Sequence, residues 1–186
     1  MLSTYEKTNV PKTNALIALI CFHSSRFDAR HSNDGEFILY EQQDEKLWNQ
    51  ELINQGVYFL NQSADGNQLT SYHIEAKIAQ CHCTKADTAE KWREILQLYD
   101  RLLLVNYSPS AVLNRTFALY KAKGAKTALI EAKKLNLSDN HFYFAFLGEL
   151  YRDIDRQQAI TNFQRAQALA KTSLERETIQ RKIDML

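Results

Sequence analysis

From residue 88 to the end of the chain, apolar residues return at intervals of three and four. Trp92, Ile95, Leu96, Tyr99, Leu102 and Leu103 make one such stripe, and Leu113, Phe117, Ala118 and Tyr120 make the next. That spacing lays an apolar face along an α-helix. The runs are about 11–17 residues long with about two to five residues between them, and sequential helices so closely joined pack as antiparallel neighbours. Gly (5) and Pro (2) are too scarce to supply the turns of a sandwich or barrel. The sequence therefore predicts an all-α fold.

The front half carries a break. Ala15, Leu16, Leu19, Ile20, Phe22 and His23 predict one stripe on a helix from Lys12 to about Ala29, with Pro11 in its first turn. Ser32-Asn33-Asp34-Gly35 signals a turn, because Asn, Asp and Gly tolerate left-handed backbone angles. Residues 31–43 then read as an irregular loop, with Phe37 to Tyr40 extended. Asp44 is the expected N-cap of a second helix through Leu47, Trp48, Leu52, Ile53, Val57 and Leu60. Further helices are expected from Ser71, Thr88, Ser110, Ala125, Asp139, Asp155 and Ser173, about nine in all. The organisation expected is a helical region over residues 1–87 that carries the Asp-Gly loop, followed by repeats over 88–186, as one continuous unit.

The helices also repeat. A tetratricopeptide unit pairs a helix of the form Trp-x2-Leu-Gly-x2-Tyr with one of the form Ala-x3-Phe-x2-Ala. Here Leu147, Gly148 and Tyr151 fall on the first half, and Ala159, Phe163 and Ala166 on the second. Small residues at 148, 159 and 166 let two backbones approach, while Tyr151 and Phe163 fill the space between. Weaker traces lie at Trp92-x2-Ile95-Leu96-x2-Tyr99 and across 110–137. The prediction is a tetratricopeptide-like array of antiparallel helix pairs; a generic helical bundle is the alternative.

Composition excludes several functions. The 186 residues hold 23 basic and 22 acidic side chains, net +1, which leaves no basic footprint for nucleic acid. Lys121, Lys123 and Lys126 read as a solvated face, as do Lys133 and Lys134. No stretch approaches the ~18 apolar residues of a membrane span, and the N-terminus does not read as a signal peptide. Three cysteines, Cys21, Cys81 and Cys83, give no disulfide framework, so a reduced cytoplasmic setting is expected. No nucleophile elbow, phosphate loop or HExxH motif occurs, so neither an enzyme nor a cofactor is expected. Cys81, His82 and Cys83, with Cys21, His23 and His73, invite a metal reading, but consecutive residues on a helix point about 100° apart. Buried cysteine is the simpler expectation.

The stretch from His23 to Trp48 resembles a known family. His23-x2-Arg26-x2-Ala29-Arg30, the turn Asp34-Gly35, and Leu39-Tyr40-Glu41-Gln42-Gln43-Asp44-Glu45-Lys46-Leu47-Trp48-Asn49 are similar to the C-terminal tetratricopeptide-like extension of extracytoplasmic-function RNA polymerase sigma factors. Tyr72-His73 through Ala79, Leu113-Asn114-Arg115 and Ala166-x-Ala168-Leu169 extend the likeness along the chain. Gln42 and Asn49 stand where the family has Asp, which weakens a charge-based contact there. The resemblance implies a part in transcription initiation. The promoter-reading regions two and four precede this part in the family and are absent from this chain. The expected partners are then the protein's own sigma regions or core RNA polymerase, with no direct DNA contact and no membrane.

Two residue groups stand out as candidate sites. Arg26 or Arg30 is expected to reach Asp44 or Glu41 by a charge-assisted pair and so pin the loop, with Trp48 beside it. That group serves either as a purely structural staple or as a partner-binding patch. Asn114 and Arg115, with Tyr99 and Tyr143, are candidates for a concave peptide-binding face, or else for packing between repeats. A regulatory sigma domain leads; a stand-alone peptide-binding adaptor and a small-molecule sensor are the alternatives.

Overall fold

The computed structural model describes residues 9–30, 38, 40–65 and 68–186. Among these the structure is all-helical, with nine α-helices, four single turns of 3-10 helix and no strand. The helices are α1 (Pro11–Ser24), α2 (Gln50–Gln62), α3 (Ser71–Cys81), α4 (Ala89–Val105), α5 (Pro109–Lys123), α6 (Ala125–Ala132), α7 (His141–Tyr151), α8 (Arg156–Leu169) and α9 (Ser173–Asp184). None of them is long and apolar enough to cross a membrane.

Caps set most helix starts. The Ser108 hydroxyl accepts from Ala111 N–H, the Asn140 side chain from Tyr143 N–H, and Asp155 from Gln158 N–H. Each satisfies one of the N–H groups that a helix start leaves without a partner. Three expected caps shift. Pro109 has no N–H and sits at the first helical position, so the cap falls on Ser108 and not Ser110. Thr70 precedes α3, with Ser71 already helical. Asp44 caps only the 3-10 turn Glu45–Leu47, and Asn49 caps α2 by accepting from Leu52 N–H at 3.0 Å.

The first helix is shorter than its pattern suggests. It ends at Ser24, where the Ser25 hydroxyl donates to Phe22 O at 2.8 Å, and the chain then turns through Asp28–Arg30. Ile20, expected on the buried stripe, is 54% exposed. Of the expected extended run, Phe37 and Leu39 lie outside the described residues, and Tyr40 opens a 3-10 turn, Tyr40–Gln42.

The chain forms two compact units, Met1–Lys91 with Gln97–Tyr107, and Trp92–Leu96 with Ser108–Leu186. In the first unit α1 packs against both α2 and α3. A helix covered on two sides needs small buried residues, and α1 buries Asn14, Ala15, Ala18, Cys21 and Phe22. Phe22 is fully buried and faces Gly56 of α2, where a Cβ would lie 2.6 Å from its ring. The glycine is the socket for the ring.

The second unit uses the same device. Helix α7 packs most extensively on α8, and a Cβ at Gly148 would lie 2.7 Å from the Phe163 ring. Phe163, Ala159 and Ala166 are fully buried, and Leu147 is buried beside them. Tyr151 is only half-buried, with the Lys133 ammonium 5.3 Å from its ring centre. Gly124 joins α5 to α6 at φ +85°, a left-handed angle that favours glycine. Tyr143 donates its hydroxyl to Ala132 O at 3.1 Å, and Lys182 of α9 pairs with Glu149 of α7. Consecutive helices in α5–α9 pack against each other, as in a tetratricopeptide-like array.

Candidate functional site

The densest polar arrangement lies in the first unit, where Ile38 and the residues Tyr40–Asn49 meet the ends of α1 and α3. Backbone bonds fix its two ends: Ile38 N–H donates to Arg30 O at 2.7 Å, and Asn49 N–H to Ser25 O at 2.8 Å. The Tyr40 hydroxyl donates to Thr84 O at 2.9 Å and accepts from the Lys91 ammonium at 3.0 Å. Lys85 Nζ donates to Gln43 O, and the buried Gln43 side chain donates to Ile38 O at 3.2 Å. The segment is thus sewn down by carbonyls and amines, and its rings fill the space underneath.

Those rings surround Arg26. Tyr40 and Trp48 stack at 6.2 Å, and His82 meets Tyr40 edge-on at 5.3 Å. The Arg26 guanidinium carbon lies 5.5 Å from the Tyr40 ring centre and 5.9 Å from that of Trp48. Arg26 is only 5% exposed. Cation–π attraction compensates part of the cost of burying its charge.

Arg26 therefore meets aromatic rings here, and the Asp44 half of the expected Arg–carboxylate staple does not form. Among the described residues neither Arg26 nor Arg30 pairs with Asp44, whose carboxylate instead accepts from Lys46 N–H at 2.9 Å. Two rings next to Arg26 outcompete a carboxylate already engaged in capping a turn. Arg30 sits beside His23, with Nη2 3.3 Å from Nδ1. The Glu41 side chain lies outside the described residues. Trp48, by contrast, is at the centre of the group, as its place in the motif suggests.

The electrostatics follow from burial under cations. His82 is pushed down to about 3, first by burial and then by Arg26, Lys91, His23 and Arg30. Burial raises Tyr40 to about 12 despite the opposing pull of Arg26. Burial also raises the Cys83 and Cys21 thiols, so neither is an activated nucleophile. Helix α3 ends at Cys81, with His82 as its C-cap. The Cys83 thiol donates to Ala79 O at 3.4 Å and lies 3.8 Å from the Ser25 hydroxyl. His73 accepts from Thr70 N–H at Nδ1 and places Nε2 3.2 Å from Ser63 O, linking α3 to the turn after α2. Among the described residues no three His, Cys, Asp or Glu side chains converge as a metal set.

His82 gives the segment a measurable acid sensitivity. Above pH 6.5 the ring is uncharged in both folded and unfolded chains. Below it the unfolded chain takes up a proton that the folded chain refuses until about pH 3, so stability falls as pH drops through that window. One such proton contributes a slope of at most about 1.4 kcal/mol per pH unit. His82→Phe keeps a ring against Tyr40 and removes the proton. Urea unfolding at pH 7.5, 5.5 and 4.5 should show the variant gaining on the wild type as pH falls. A difference that stays constant with pH would rule this origin out.

The second candidate group is divided between the two units. Tyr99 belongs to the first unit, while Asn114, Arg115 and Tyr143 belong to the second. Tyr143 is buried between α6 and α7, so it packs repeats together. Asn114 is exposed and Arg115 half-buried on α5, and Arg115 helps hold the exposed Glu131 carboxyl below its usual range, after the larger effect of Lys134. The residues the sequence reading overlooked are Tyr40, His82 as a ring partner, Lys91 and Gly56. A Tyr and a Trp flanking a polar turn-rich segment was the available signal for Tyr40.

Comparison with known proteins places this segment in company without a function. Residues 1–64 match a family of unknown function, DUF6596. An uncharacterized protein of Rhizobium meliloti (strain 1021) is 33% identical over 181 residues, covering 95% of this chain. The chain spans 43% of that relative's length. No solved structure matches.

Proposed function

We propose that this chain is a regulatory protein-interaction domain of a bacterial extracytoplasmic-function sigma factor, acting in transcription initiation through contact with its own sigma regions or core RNA polymerase. The observation that carries this reading is the likeness of the His23–Trp48 stretch to the C-terminal extension of that family. The residues of that stretch are also the ones that build the aromatic staple, since Arg26, Tyr40 and Trp48 lie at its centre. A family motif spent on holding a loop in place fits a domain whose job is to present a surface. Apolar surface for a partner is present: Leu104, Val105 and Tyr107, at the end of α4 and just beyond, are all more than half exposed. The relative's greater length leaves room in that protein for further regions.

The test uses a full-length parent carrying this domain. Removing the domain and measuring output from the cognate promoter should lower transcription at least tenfold while the truncated protein still accumulates. Unchanged output would end the proposal and favour a stand-alone adaptor.

A further inference from the structure

Beneath the staple lies a cavity of about 160 Å³, lined by Leu19, His23, Arg26, Glu75, Ile78, Ala79, His82, Tyr99 and Leu102. At roughly 30 Å³ per water molecule, that is room for a ligand of about five heavy atoms. Its walls are of two kinds. Leu19, Ile78, Ala79 and Leu102 are apolar, while Arg26 brings a charge that is nine-tenths and more buried.

Arg26 is short of partners. Its Nε–H finds no hydrogen-bond acceptor among the described residues. The Tyr40 and Trp48 rings attract the charge but use none of the N–H donors. Glu75, on the cavity wall, makes no ion pair with it, and the groups that shift Arg26 besides burial are Arg30, Cys83 and Tyr40. A buried guanidinium normally has its N–H fork filled by a carboxylate or phosphate. Arg30 and Lys91 add to the positive potential, and both are among the charges that depress His82.

We infer that this cavity is a binding site for a small monocarboxylate, its oxygens taken by the Arg26 N–H fork and its short apolar body lying against Leu19, Ile78 and Leu102. The Arg26 fork can take one carboxylate, the Glu75 carboxylate on the same wall disfavours a ligand of higher negative charge, and the apolar half of the wall suits a hydrocarbon tail. These features disfavour a phosphate dianion. The carboxylate has two sources with the same chemistry, a free organic acid or an acidic side chain of a partner polypeptide.

Thermal unfolding at pH 7.5 and constant ionic strength, balanced with chloride, tests this with three probes. These are sodium propionate, sodium phosphate and the capped peptide acetyl-Ala-Glu-Ala-amide. Propionate should raise the melting temperature saturably, by on the order of 3–6 °C at ten times its Kd. Arg26→Met should abolish the shift, and Arg26→Lys, which keeps the charge without the fork, should weaken binding at least tenfold. A shift with the peptide alone keeps the site and assigns it to a polypeptide carboxylate. No saturable shift in the wild-type protein with propionate or peptide up to about a hundred millimolar overturns the proposal, and so does a shift with phosphate alone. An equal shift in a folded Arg26→Met protein overturns it as well.

Discussion

Replacing Phe163 with alanine is expected to remove about 3–5 kcal/mol from the stability of the second unit, as deleting a buried aromatic ring does elsewhere. Phe163 is fully buried between α7 and α8, the most extensive helix pair in the structure. Typical domains have only about 5–15 kcal/mol in hand, so the variant should be marginal at 37 °C. The socket gives a sharper test. Gly148→Ala adds one methyl group that would stand 2.7 Å from the ring. Alanine favours a helix over glycine by about 1 kcal/mol, yet overpacking a close contact costs about 1–3 kcal/mol. The contact should win, because neither the helix backbone nor a ring enclosed on all sides can retreat. Leucine at 163 withdraws the ring edge that the new methyl group meets. Gly148→Ala with Phe163→Leu should therefore cost less than the two changes summed, with a coupling of about 0.5–3 kcal/mol. Urea unfolding followed by Trp92 fluorescence in a Trp48→Phe background reports the second unit. Strict additivity would mean that the ring and the glycine do not share one space.

The residues that make this pair were legible in the sequence because their chemistry is local and periodic. Leu147-Gly148 and Ala159-x3-Phe163-x2-Ala166 place small and large residues on facing helix sides, and the structure joins them as the spacing implies. Gly56 was not legible, although it does the same work against Phe22. It lies alone on α2, and nothing in the spacing of α1 names its partner. Helix ends were read less well than helix centres. Asp44 looks like a cap for α2, but two candidates five residues apart compete, and Asn49 wins because the chain first makes the turn Glu45–Leu47. The staple shows the deeper limit. Opposite charges at 26, 30, 41 and 44 suggested ion pairs, whereas partner choice depends on which group is buried. Arg26 goes inside, and there the rings of Tyr40 and Trp48 are its neighbours. Burial of one arginine arises only when α1, the returning segment and the end of α3 come together, so no window of sequence contains it.

Trp48 carries the second large effect. Its ring is 4% exposed, stacks on Tyr40 and faces the Arg26 guanidinium, and its chain position is fixed by a bond from Trp48 N–H to Glu45 O at 3.0 Å. Trp48→Ala opens a cavity of indole size and strips Arg26 of one of its two cation–π partners among the described residues. The expected loss is about 3–5 kcal/mol for the ring, with about 0.5–2 kcal/mol of it traceable to the buried cation. Trp48→Phe separates these contributions from the indole N–H. That N–H is buried with no acceptor among the described residues. Phenylalanine removes an unsatisfied donor while keeping an aromatic face, so it should cost under about 1.5 kcal/mol, far less than alanine. Repeating both changes in an Arg26→Met background completes the comparison. Without the cation, alanine should cost less than it does beside Arg26, and phenylalanine should cost about the same as before. Protein unfolding measured by helical circular dichroism gives all of these values. If Trp48→Ala costs as much in the Arg26→Met background as it does beside the native arginine, the ring is only filling space, and the segment is held by its backbone and lysine bonds alone.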